Sequence, residues 1–231
     1  MKKMIVSDYD GTFYRNEKEL KENIELINAY RANGNLFVIA TGRAYTSFMT
    51  EQDKHKVPYD YLILSGGMVL DKDHNVLYYE DIKEETTTNL KALIDKYSKF
   101  ITHFKYVGLK DSGENIIYPL TKIAMRFSDL LKGYEFSNQA LNLYKDINCY
   151  ILSVPSGNYV EIISSKTNKG VALKYLQDHL KLDADVIFTI GDSSNDYEMI
   201  ELYNGYVVDT AQPDLKSHGF RVSSIKELTQ K

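Results

Sequence analysis

Apolar residues come in short solid runs near both ends of the chain and in alternating patches in its middle. "MIVS" (4–7), "NLFVIA" (35–40), "YLIL" (61–64) and "DVIFTI" (185–190) have no polar face, so each reads as a strand buried on both sides. Between them the period changes to that of a helix. Residues 16–35 place Leu20, Ile24, Ile27 and the stem of Arg31 on one side, with Asn16 and Glu19 spaced as a capping box and Gly34 as the stop. "YTSFMTEQDKHK" predicts a second helix, and "KGVALKYLQDHL" a later one with Leu173, Leu176 and Leu180 aligned. "NDYEMIELY" continues the pattern as a helix, "GYVV" and "FRVSS" as short strands. Fully apolar strands alternating with helices imply a parallel sheet covered on both faces.

The middle follows another rule. "TTNLKALIDKYSKF" predicts a helix burying Leu90, Leu93, Ile94 and Tyr97, while "KIAMRF", "NCYILSVP" and "NYVEIIS" read as half-buried strands. "SGN" (156–158) between the last two is a hairpin signal, and hairpins belong to antiparallel sheets. The expected organisation is therefore an α/β core from residues 1–82 and 163–231, with an α+β module over 83–162 inserted into it.

Composition narrows the class without naming a chemistry. In 231 residues, 43% hydrophobic and 26% charged positions are ordinary for a globular protein, and a net charge of −4 gives no reason to expect a nucleic-acid or anionic-membrane partner. Five apolar residues in a row are the longest run of that kind, against about 18 for a membrane helix, and the three-residue run after Lys3 is too short for a signal peptide. Cys149 is the single cysteine, so no internal disulfide forms and a reducing cytoplasm is the expected location; we read it as a strand residue.

The chemistry gathers where apolar strands end. "MIVS" runs into Asp8-Tyr9-Asp10-Gly11-Thr12, "NLFVIA" into Thr41-Gly42-Arg43, and "DVIFTI" into Gly191-Asp192-Ser193-Ser194-Asn195-Asp196. Ligands of open parallel sheets bind beyond the carboxyl ends of the strands. If these three strands are neighbours, four acids and the Thr41 hydroxyl meet at one edge. Asp8 and Asp10 repel each other by roughly 1 kcal/mol in water at ~4 Å and several times that near a protein surface, which a divalent cation would offset. An all-oxygen set of few carboxylates suits Mg²⁺ beside a phosphate; the five histidines are scattered, no Cys/His cluster exists for zinc, and no GxxxxGK[ST] or GxGxxG loop is present.

"DYDGT", "ATGR", the lysine of "SKTNKGVAL" and "GDSSND" resemble, in order, the four motifs of the haloacid dehalogenase superfamily, in particular its Cof-type phosphatases. The resemblance covers the core at both ends of the chain. It implies a Rossmann-like core with a C2-type cap, since the interval from Asp8 to Thr41 holds one helix and that from Thr41 to Lys169 holds a whole module. It further implies Asp8 as the nucleophile that forms an aspartyl phosphate, and Asp10 as general acid and base. Asp8, the Asp10 backbone carbonyl and Asp192 would hold Mg²⁺, with Asn195 and Asp196 orienting Asp192 or its waters. Thr41, Gly42, Lys169 and Asn195 would bind the phosphoryl group. Each has a plainer counterpart: Asp10-Gly11 as an ordinary turn, Thr41 as a helix cap, Asn195 and Asp196 as a helix start, Lys169 as one lysine among several nearby. Against the family pattern, Ser65-Gly66 stands where Asn-Gly is usual and Ala44 where proline is common; Arg43 reads as a surface or salt-bridge residue and is assigned no site role. Tyr118, Phe127 and Tyr150 fall in the module, where core packing is expected of each. The implied activity is Mg²⁺-dependent hydrolysis of small phosphorylated metabolites, sugar phosphates foremost. A phosphomutase or phosphotransferase using the same aspartates is the alternative, and a non-catalytic binding module a more distant one.

Overall fold

The computed structural model describes residues 2–154, 157–203 and 205–231. Along the chain these form β1 (Met4–Ser7), α1 (Glu17–Ala32), β2 (Leu36–Ala40), α2 (Tyr45–His55), β3 (Tyr61–Leu64), β4 (Met68–Asp71) and β5 (Val76–Tyr78). Then come α3 (Glu84–Tyr97), β6 (Ile101–Val107), β7 (Ser112–Gly113), β8 (Lys122–Phe127), α4 (Leu130–Leu143), β9 (Ile147–Val154) and β10 (Gly157–Ser164). The chain closes with α5 (Lys169–Leu180), β11 (Ile187–Gly191), α6 (Tyr197–Leu202), β12 (Tyr206–Val208) and β13 (Phe220–Val222). Two compact units result: Met1–Arg43, Ser47–Tyr78 and Asn168–Lys231 in one, Ala44–Thr46 and Tyr79–Thr167 in the other.

The first unit carries a sheet in the order β13-β12-β11-β1-β2-β3-β4-β5. It is parallel from β13 to β3 and antiparallel over β3-β4-β5. Every residue of β1 and β2 is buried, as their unbroken apolar character requires. The parallel register sets Ser7 beside Ile39 and Ile190, so β1, β2 and β11 end level with one another. The polar tails of three neighbouring strands therefore leave the sheet side by side. The β3-β4 hairpin was not predicted; Ser65 and Gly66 both take positive φ in its turn (+52° and +79°), a conformation in which glycine is cheap and serine uncommon.

Asn16 caps α1, its side-chain oxygen accepting from the Glu19 amide at 3.0 Å, while Glu19 returns the contact to the Asn16 amide rather than to its backbone. The buried stripe of α1 is Leu20, Asn23, Ile27 and Tyr30. Asn23 replaces the expected Ile24 because its amide donates to the Phe13 carbonyl at 2.9 Å, fastening the loop that follows β1.

The second unit is an antiparallel sheet, β7-β6-β8-β10-β9. Leu90, Leu93 and Tyr97 of α3 and Phe136 and Ala140 of α4 share a core with Ile123, Met125, Phe127, Val160 and Ile162. Helix α4, unanticipated, is capped by Asp129, which accepts from the amides of Leu131 and Lys132. Phe127 is in the core as expected, but Tyr118 is 44% exposed and is not. Cys149 packs at the edge of the core, where burial pushes its thiol up to about 12 and leaves it unreactive. The predicted turn "SGN" is covered only in part, Ser156 lying outside the described residues. Among the described residues no helix is long and apolar enough to cross a membrane.

Phe136 is fully buried, with ring centroids 5.5 Å from Tyr97 and 5.6 Å from Phe127. Phe136→Ala should cost about 3–5 kcal/mol, read as a lower midpoint in urea unfolding; a loss under about 1 kcal/mol would mean that this core collapses around the gap.

Candidate active site

Asp8 follows β1 directly, and its amide donates to the Ile190 carbonyl at 2.9 Å, so the strand pairing that builds the sheet also fixes this residue. The chain then turns back: Phe13 and Tyr14 amides donate to the carbonyls of Asp8 and Tyr9 at 3.2 and 2.7 Å. Tyr9 and Phe13 are fully buried among Phe37 and Phe48 and anchor the turn. Asp8 and Asp10 thus share one loop but meet different surroundings.

Asp8 lies in the interior. Its Oδ1 accepts from Lys169 Nζ at 2.7 Å, and its Oδ2 is buried without a hydrogen-bond partner. Lys169, the first residue of α5, is wholly buried and also donates to Asp196 Oδ1 at 2.6 Å. Asp196 spends its other oxygen on the amides of Asp192 and Ser193, both at 3.0 Å, closing a capping box with Ser193. Asp192 accepts from the Thr12 hydroxyl at 2.9 Å. Asp8, Asp192 and Asp196 each bring a carboxylate oxygen within 4.8 Å of the others.

Such approach needs missing side chains. At Gly11, with φ of +87°, a Cβ would sit 2.6 Å from Asp192 Oδ2. At Gly191 it would sit 2.5 Å from Asp196 Cγ. The two glycines let the loops after β1 and β11 close on one set of acids.

Three carboxylates against one ammonium leave this pocket with two negative charges when all are ionised. Burial, then Asp196 and Asp192, raise the Asp8 carboxyl well above the usual carboxylate range, against the pull of Lys169. Burial and Asp196 push Asp192 up to about 6. Burial disfavours charge on Lys169, but Asp196 and Asp8 outweigh it and hold the ammonium above its ordinary value. The donor set fits Mg²⁺: hard oxygens, a charge deficit equal to one dication, and a buried oxygen of Asp8 left over. Asp196 is already spent on Lys169 and two amides, which leaves Asp8 and Asp192 as the side chains free to hold such an ion.

The other predicted residues sit as follows. Thr41 is buried after β2, and its hydroxyl oxygen accepts from the Arg43 amide at 3.1 Å. Gly42 follows it in that loop. Asn195 is buried, its side-chain oxygen accepting from the Ser193 hydroxyl at 2.9 Å. Asp10 stands apart from the buried acids, its side chain 47% exposed and gripped by Arg43 through two bonds of 2.6 and 2.7 Å. Sequence reasoning took Arg43 only for a surface or salt-bridge residue, and it does pair with Asp10 and Glu51; it gave no role to Thr12 or Glu51. Thr12 and Arg43 lie inside quoted motifs, so position was a signal for them; Glu51, on a helix, offered none.

Asp8 and Asp192, raised in the fold, keep protons there that the unfolded chain would release, so metal-free stability falls as pH rises from about 4 to about 6, the Asp192 window. Carboxyls held low, such as Glu17, Asp71 and Asp146, act oppositely, but only up to their ordinary values of 4.5, 3.8 and 3.8, at the bottom of that window. In chelator, the melting temperature should therefore rise by several degrees from pH 6.5 to pH 5, and Asp192→Asn should flatten the rise. A flat profile in the parent protein would contradict this electrostatic picture.

The sequence profile of haloacid dehalogenase-like hydrolases matches residues 5–117 and 109–224. A protein of Saccharolobus solfataricus named phosphoglycolate phosphatase 1 is 25% identical over 233 residues, covering 98% of this chain and 91% of its own. Among solved structures, a haloacid dehalogenase-like hydrolase of Bacillus subtilis superposes with a TM-score of 0.81 at 18% identity, covering 99% of both chains. The sucrose-phosphatase of Synechocystis sp. PCC6803, solved with sucrose and phosphate, gives 0.69 at 21% identity over 97% of this chain and 93% of its own.

Proposed function

The chain belongs to the haloacid dehalogenase-like hydrolases, and we propose that it is a Mg²⁺-dependent phosphatase of small phosphorylated metabolites working through an aspartyl phosphate on Asp8. The observation that carries this reading is the state of Asp8: one buried oxygen on Lys169, the other buried and unpartnered. A carboxylate so held is aligned, stripped of water and free to form a bond. Sugar phosphates are the favoured substrates, because one structural neighbour is a sucrose-phosphatase and the phosphoglycolate phosphatase also takes a small phosphate ester.

An Asp8 oxygen forms a bond to phosphorus as the bond from phosphorus to the ester oxygen breaks, and the Asp10 carboxyl gives its proton to that departing oxygen. Asp10, now a carboxylate, takes a proton from a water whose oxygen attacks the phosphorus. The acyl phosphate bond breaks, inorganic phosphate leaves, and Asp8 is a carboxylate again. Lys169 neutralises part of the phosphate charge beside Asp8. The Thr41 hydroxyl, the Gly42 amide and Asn195 hold phosphoryl oxygens. Asp196 keeps Lys169 charged and pins the turn that carries Asp192. Mg²⁺, held by Asp8, the Asp10 carbonyl and Asp192, would supply the positive charge that lets an anionic ester approach an anionic nucleophile.

A panel of phosphate esters with Mg²⁺ tests the reading. Inorganic phosphate should be released without a bisphosphate primer, which also separates hydrolysis from phosphoryl transfer to a sugar. Asp8→Asn should lower kcat by at least about 10³-fold while the protein stays folded. No Mg²⁺-dependent turnover across the panel would point to a binding protein instead.

A further inference from the structure

Arg43 is held from several directions. Its Nε and Nη2 form a fork on the two oxygens of Asp10, at 2.6 and 2.7 Å. Its Nη1 reaches Glu51 Oε1 at 3.0 Å. The guanidinium carbon lies 5.4 Å from the centre of the Tyr9 ring, and the Tyr9 hydroxyl donates to Glu51 Oε2 at 3.2 Å. Since Tyr9 precedes Asp10, these contacts close a ring: Asp10 to Arg43, Arg43 to Glu51, Glu51 to Tyr9, and the peptide back to Asp10. The Arg43 backbone belongs to the phosphate side, its amide on the Thr41 hydroxyl and its carbonyl accepting from the Ser65 amide at 2.9 Å.

We propose that Arg43, oriented by Glu51, is a positioning residue that fixes the carboxyl plane of Asp10 for proton transfer to the departing ester oxygen. This rests on the reading of Asp10 as acid and base. Asp10 needs such a support. It is half exposed on a turn next to a glycine with φ of +87°, so little packing limits its rotamers. A planar fork of two parallel bonds sets both direction and tilt of a carboxyl group, which a point charge does not. A rival role, Arg43 as a phosphate clamp, meets an obstacle: the fork edge that would grip a phosphate is already on Asp10, and Nη1 is on Glu51.

Proton donation matters in proportion to how poor the leaving group is. p-Nitrophenolate departs without a proton; the alkoxide of glucose 6-phosphate does not. The test is the ratio of kcat/KM for p-nitrophenyl phosphate to that for glucose 6-phosphate, with Mg²⁺, kcat/KM covering the steps through phosphoryl transfer to Asp8. Asp10→Asn should raise the ratio by about 100-fold, the scale of general-acid catalysis. Arg43→Ala and Arg43→Lys should both raise it by roughly tenfold or more, and Glu51→Gln by a smaller factor in the same direction. Lysine keeps the charge but not the fork, so an Arg43→Lys ratio like the parent's would overturn the proposal. So would an Arg43→Ala loss equal for both esters, the mark of a phosphate clamp or of general damage. An unchanged ratio in Asp10→Asn would remove the acid itself, and the proposal with it; a raised ratio there with flat Arg43 variants would sink the positioning role alone. Should Arg43→Ala fail to melt cooperatively, Arg43→Lys and Glu51→Gln decide the matter.

Discussion

The buried ammonium of Lys169, shared between Asp8 and Asp196, is the contact on which this edge of the sheet depends. Taking a charged group out of water costs several kcal/mol, and the first turn of a helix is the wrong end of its dipole for a cation. Lys169 sits there with no exposed surface. The two carboxylates at 2.7 and 2.6 Å offset that cost, so three separate segments, the end of β1, the start of α5 and the turn after β11, are tied together. Removing Lys169 leaves its buried carboxylates unmatched, a larger penalty than the loss of one contact, whereas losing one acid leaves the ammonium still paired with the other. The tie is nonetheless over-supplied with acid. Asp192 is raised to about 6 by burial first and then by Asp196, the cost of placing a third carboxylate in the same interior. A site folded around excess negative charge is complementary to a dication.

What could be read from the residues divides along a physical line. Strands β1, β2, β3 and β11 were legible because burial on both faces demands apolar side chains at nearly every position, and no surface element tolerates that. The meeting of Asp8 and Asp192, and the place of Thr41 just past the neighbouring strand, were legible because strand neighbours in a parallel sheet end together. The middle of the chain was harder. Helix α4 carries Gly133, Ser137 and Asn138 within its span and lacks a clean apolar stripe; only Asp129 at its N-terminus marked it. The β3-β4 hairpin hid behind a serine in a left-handed conformation where Asn or Gly is the ordinary sign. Least legible were partnerships between side chains. Nothing in a single sequence says that Arg43 turns toward Asp10, or that Thr12 donates to Asp192, because each depends on how two loops from different strands face one another.

Asp8 and Asp10 differ less in identity than in their access to water. The side chain of Asp8 is 6% exposed and that of Asp10 is 47% exposed, though one residue separates them. In the proposed chemistry that asymmetry divides the work. A carboxylate that must bond to phosphorus gains from having no water to shed, and the interior holds it still beside Lys169. A carboxyl that must give a proton to a leaving group and later recover one from water needs an open face. Openness has a drawback, since an exposed acid on a glycine turn is loosely placed. The fork from Arg43 answers this with charge and geometry rather than with burial, so Asp10 stays wet and still points one way. In the proposed reaction identical side chains therefore serve two ends of one chemistry, because the loop after β1 carries one of them into the core and turns the other out of it.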